Sequence, residues 1–225
     1  MRSTKIPRFL FAVVCVLLGF ATNALAGPPL ICHAIEIGQA KSLPPIDWNS
    51  SDTGGYDLKN LSRDTLAILD SSPSVLVRME TLRRATIYAR HDPAAAKELL
   101  LKLRGRADRS EATGHPDALS WFDVGYLAEA YQEWMGRNES NPAVGLDGYT
   151  WIRRAIPLRG KDAEMEFAAA LVTLSGPESA HREHVRKAIA GAKEDSLLSQ
   201  NLAARFHRQS VAEVLARPTS EEVVR

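Results

Sequence analysis

From about residue 58 the chain signals the start of a helix again and again, and that recurrence points to an all-α architecture. Ser72-Pro73, Asp92-Pro93, His115-Pro116 and Gly176-Pro177 each offer proline at a first helical position. There its missing N–H removes a donor that the helix leaves unpaired anyway. Asp147, Asp162 and Ser196 add side-chain oxygens suited to closing on the free N–H groups of a first turn. The apolar spacing agrees. Val124, Leu127, Tyr131 and Trp134 recur at steps of three and four, which gathers them on one face, and Leu197, Leu198, Leu202 and Phe206 do much the same. No stretch keeps the alternation of a strand. The predicted helices cover 58–70, 73–90, 93–107, 116–136, 147–158, 162–174, 178–193 and 196–215, with a longer loop at 136–145.

What precedes the helices is different. Arg2, Lys5 and Arg8 are followed by an uncharged apolar run from Phe9 to Phe20 and by Ala24-Leu25-Ala26. Basic start, short apolar stretch and small-x-small end form the pattern of a cleavable export leader. The run is short for a bilayer span, which takes about 20 residues; an uncleaved leader that anchors the chain is the alternative. The expected organisation is a signal peptide over 1–26, an irregular segment rich in Gly, Pro, Ser and Asp over 27–56, a helical domain over 57–216 and a flexible tail over 217–225. Beyond the leader no stretch is apolar enough to span a membrane. Removing 1–26 takes away three bases and no acid, leaving 25 bases against 27 acids. That balance, with no clustered basic face, argues against nucleic acid as a partner. Of the two cysteines, Cys15 belongs to the leader, so Cys32 stands alone without an intramolecular disulfide. Such a thiol bridges to another chain, stays free or is buried.

The helical region repeats itself. Ile152-Arg153-Arg154-Ala155-Ile156 is echoed by Val185-Arg186-Lys187-Ala188-Ile189 at an offset of 33 residues, and Asp162 and Asp195 follow at the same offset. Leu82-Arg83-Arg84-Ala85, with Asp92 after it, lies about two periods upstream. Trp121, Val124 and Gly125 fit the opening Trp-x-x-Leu-Gly of a first repeat helix; Gly148, Ile152 and Ala155 fit the small, large and Ala positions of a second. With these residues the chain resembles the tetratricopeptide family, best over 117–205. It departs from that pattern at Ala128, where the family has Tyr, at Gly160, where it has Pro, and in the added loop 136–145. The resemblance implies an all-α array of about eight helices, paired as antiparallel hairpins in a solenoid. It further implies a non-enzymatic scaffold that receives another protein or a peptide on its concave face, with Trp121 and Tyr126 as partner-binding residues.

Residues with chemistry of their own are few. Cys32-His33 sets a thiol beside an imidazole, a possible nucleophile or ligand site. A c-type haem attachment would need a further Cys three positions before Cys32, and there it has Pro29. This pair carries the second functional reading, a thiol- or cofactor-dependent protein with a possible Cys32-linked partner. His181 and His184 lie three apart where zinc sites usually set histidines four apart with a third ligand, so they read as a solvated helix face and no metal is expected. Glu129 and Glu133, Glu164 and Glu166, and Glu221 and Glu222 read as helix-surface carboxylates; a helical hydrolase built on them would be a third reading without a nameable site. Asn49, Asn60 and Asn138 lie in glycosylation sequons. Phe122, Tyr126, Tyr131, Trp134, Tyr149 and Trp151 concentrate aromatic area around the 136–145 loop, most of it for the core. No phosphate loop or dinucleotide fingerprint is present, and no cofactor is expected.

Overall fold

The computed structural model describes residues 28–136, 138 and 140–206. The expected leader, the final stretch of the last predicted helix and the tail from 217 lie outside the described residues. After a 3-10 turn at Leu58–Asn60, eight α-helices follow among the described residues: α1 (Leu61–Ser71), α2 (Val75–Ala89), α3 (Pro93–Ala112), α4 (Ala118–Met135), α5 (Gly148–Arg159), α6 (Ala163–Val172), α7 (Glu178–Gly191) and α8 (Leu197–Arg205). No strand occurs among the described residues, so the protein is all-α.

The helices begin where a short polar side chain can close on free amides. Asp92 accepts from the Ala94 and Ala95 amides with Pro93 first in α3. Asp147, Asp162 and Ser196 cap α5, α6 and α8 as expected. At two of the proline signals the helix starts two residues later than expected. Ser74 caps α2 and Asp117 caps α4, leaving Pro73 and Pro116 outside the helices. Proline only tolerates the first turn, whereas a serine or aspartate oxygen satisfies one of its donors, so the neighbour with the oxygen takes the cap. Pro177 occupies the cap of α7 and makes no side-chain bond.

Packing runs mainly between α4 and α5 and between α6 and α7. Close approach explains the first pair. A Cβ on Gly125 would lie 2.5 Å from the Gly148 carbonyl oxygen, and one on Gly148 would lie closer still to that of Gly125. Two backbones in contact leave no room for any other residue. α2 meets α1, α4 and α6, while α3 rests on α4 and α1, and α8 on α6.

α2 is unlike its neighbours. Every residue in it except Arg84 is buried, including Arg78, Glu80 and Arg83. A helix with no solvated face must be wrapped on all sides, and one of its wrappers is not a helix. Residues 29–48 lie along it as a strap without regular structure. Leu30, Ile31, Ile35, Ile37 and Leu43 of the strap join the core, each contributing on the order of 1.5–3 kcal/mol by burial.

Candidate functional site

The strap satisfies its backbone in an unusual way. It has no ladder partner, so its amides and carbonyls turn to charged and amide side chains of the helices. The carboxylate of Glu80, fully buried in α2, accepts from the Ile35 amide at 2.8 Å while also accepting from Arg83 and Arg84. Arg83 donates its remaining nitrogen to the Ile31 carbonyl at 2.7 Å, and Arg84 donates to the Leu43 carbonyl. From α4, Glu133 accepts from the Leu30 amide at 2.8 Å. From α8, Arg205 donates to the carbonyls of Pro29 and His33 at 2.8 and 2.7 Å, and Asn201 pairs with both the amide and the carbonyl of Glu36.

At the far end, Tyr88 donates to the Pro44 carbonyl and Arg90 to those of Trp48 and Ser50. Arg90 also stacks over the ring of Trp134, which meets Trp48 edge to face at 5.9 Å. Three helices thus form a clasp that reads main chain. Each buried charge in it is answered by a second charge or by a backbone dipole, the condition for keeping such groups out of water.

Cys32 and His33 ride on this clasp. The thiol is half-buried, and burial, with Glu133 nearby, pushes its pKa up; Arg205 and Arg83 oppose that only in part. A raised pKa keeps the sulfur as the thiol, the less nucleophilic form. Burial likewise lowers the pKa of the exposed His33, with Arg205 and Arg83 adding to the effect. Glu133 is the most perturbed carboxyl of the site. Burial pushes it up to about 7, against the Leu30 amide that favours its ionised form.

Tyr126 is completely buried in α4, and among the described residues its hydroxyl has no hydrogen-bond partner. Trp121 is 7% exposed, packed edge to face on Trp151 with Arg154 stacked over its ring at 4.1 Å. Neither side chain offers a face to a partner in this conformation. Both lie inward because α4, between α2, α3 and α5, has neighbours around most of its girth.

Two expectations are corrected outright. His184 does not belong to a solvated face. It is 7% exposed, its Nδ1 lies 2.5 Å from a carboxylate oxygen of buried Glu166, and its Nε2 lies 2.9 Å from the Tyr149 hydroxyl. The ring is held inward because α7 packs on α6 with that edge. His181 is turned to the Ala170 carbonyl. The carboxylates are not all surface groups either: Glu129 accepts from the Tyr149 amide, Glu133 serves the strap, and Glu164 accepts from the Ser74 hydroxyl and the Leu76 amide. Among the described residues no three His, Cys, Asp or Glu side chains gather as metal ligands.

The residues of the clasp are mostly ones that sequence reasoning passed over. Arg83 and Arg84 were visible only as part of a repeat echo. A usable signal was nonetheless present: in 75–89 the apolar residues fall on every side of the helix, so the charges among them had to be buried. No family model, no curated protein and no solved structure matches the chain.

Proposed function

We propose that the chain is an exported, non-enzymatic scaffold of tetratricopeptide-like helical hairpins that holds an extended segment of protein along α2, α4 and α8. The observation that carries this reading is the strap itself. The stretch 29–48, without regular structure, is bound through its backbone by Glu80, Arg83, Glu133, Asn201 and Arg205. Recognition of main chain is largely indifferent to side-chain identity, which suits a surface that receives peptides. The hairpin part of the reading draws on contact order. Gly125, Glu129 and Gln132 of α4 meet Ile152, Tyr149 and Leu146 in turn, the running order of two antiparallel helices. Export draws on the leader pattern of residues 1–26.

In this reading the binding face is filled by the chain's own residues, and an incoming peptide competes with them. A protease site introduced between Gly54 and Gly55, followed by cleavage, turns the strap into a separable ligand. Fluorescently labelled extended peptides, with residues 28–48 among them, are then titrated into the nicked protein. Saturable binding that unlabelled 28–48 peptide displaces, and that Arg83→Ala weakens, is the expected result. If no peptide binds, the 28–48 peptide included, while the helix content is retained, the reading fails.

A further inference from the structure

The one sequence seen on this face is the chain's own, and every second copy carries it. We propose that the strap is exchangeable between two copies: residues 29–48 of one can dock in the α2–α4–α8 clasp of the other, with residues 49–57 as the hinge, and a high concentration or a shortened hinge favours the exchanged form. The inference rests on the clasp reading above.

Three observations carry it. First, the strap's grip is distal in sequence. Its hydrogen bonds to helix side chains go to residues from Glu80 to Arg205, and among the described residues none go to α1. All of these contacts can be made unchanged by a strap arriving from another copy, which is the condition for segment exchange.

Second, the connection is loosely held. Between the Ser50 carbonyl, taken by Arg90, and the Tyr56 hydroxyl, bonded to Asp64, the hydrogen bonds stay within the loop: Ser50 with Asp52, Asp52 with Gly54, Thr53 with Tyr56. A cleft of about 420 Å3 lies under this connection, lined by residues 44–47, 50 and 53–56 and by Tyr88, which meets the stretch at its ends, Pro44 and Tyr56. Third, Gly54 and Gly55 sit at φ +58° and +83° with no atom near a would-be Cβ. They can swing to an extended path at little steric cost.

Closure within one chain wins at low concentration because the tether holds the strap near its own clasp. Shortening the tether removes that advantage. Deleting Gly54 and Gly55 takes about 7 Å from the reach of the loop and shifts the balance to exchange. A covalent trap reports which clasp is filled. The Ser42 and Thr81 hydroxyl oxygens lie 3.1 Å apart across the strap and α2, so Ser42→Cys with Thr81→Cys, in a Cys15→Ser, Cys32→Ser background, forms a disulfide wherever the strap docks.

The full-length protein with the parent loop and the protein lacking Gly54 and Gly55, both carrying the trap, are compared at matched concentration by sedimentation velocity and non-reducing electrophoresis. The expected result is a monomer with an internal disulfide for the parent loop and a disulfide-linked dimer for the shortened one. A shortened protein of unchanged helix content that stays monomeric, or that dimerises without the engineered disulfide joining two chains, overturns the proposal. If the nicked protein still takes up the 28–48 peptide in that case, the clasp reading stands and exchange alone falls.

Discussion

Among the clusters of buried ionisable groups, two are satisfied in opposite ways. Along α2, Glu80 and Arg83 form a pair whose remaining capacity is turned to backbone groups of the strap. Between α5, α6 and α7, Tyr149, His184 and Glu166 satisfy one another side chain to side chain, with Lys187 3.8 Å from the carboxylate. The second cluster fixes three helices together and has no part in holding an irregular segment. The first leaves a row of donors and acceptors addressed to whatever main chain lies over them. That difference is why the proposed function is placed at the clasp and not at the Tyr149–His184–Glu166 cluster.

The sharpest way to break the contrast is Arg83→Ala. It leaves Glu80 buried with less compensation and frees the Ile31 carbonyl, and loss of one member of a buried pair destabilises by about 3–5 kcal/mol. Denaturant unfolding should show a loss of that order, and Cys32 should react faster with an alkylating reagent as the strap loosens. A loss below about 1 kcal/mol with unchanged thiol reactivity would mean that the clasp is not what holds the strap. His184→Ala should lower stability less, by about 1–3 kcal/mol, since Glu166 keeps Lys187 nearby. It should leave Cys32 reactivity as it was. If the two substitutions proved equal in both readouts, the distinction between a clasp and a brace would be lost.

The smallest effect follows pH. Burial sets the folded-state pKa of Glu133 at about 7, above the usual 4.5. Between those values the folded protein holds more protons at this site than the unfolded chain, so stability falls as pH rises through that window. Glu133→Gln should flatten this part of the stability–pH profile, read as the denaturant midpoint at pH 5 and pH 8. An unchanged slope would assign it to another group, with Asp123, raised to about 6 by burial against the pull of Arg78, the next to test.

Much of the fold was legible without the structure because its causes are local. Asp92, Asp147, Asp162 and Ser196 reach amides two or three residues ahead, and their helices begin where the pattern placed them. The aromatic residues Phe122 and Tyr131 proved fully buried, as apolar area of that size demands, and so did Tyr126, which the resemblance had placed on a partner-binding face. The displaced starts of α2 and α4 were also local, a matter of ranking an oxygen above a proline.

The candidate site was not legible, for a reason of distance along the chain. Leu30 and Glu133 are 103 residues apart, and Glu36 and Asn201 are 165 apart. Nothing in the spacing of Arg83 and Arg84 says which carbonyls they meet, and nothing in Tyr149, Glu166 and His184 says that they converge. By itself the sequence determined an all-α chain, the caps that open half of its described helices and the residues able to fill a core. Only the tertiary structure decided that α2 would be wrapped on every side, because the element completing that wrap is a segment with no periodicity of its own, held through a backbone that all sequences share.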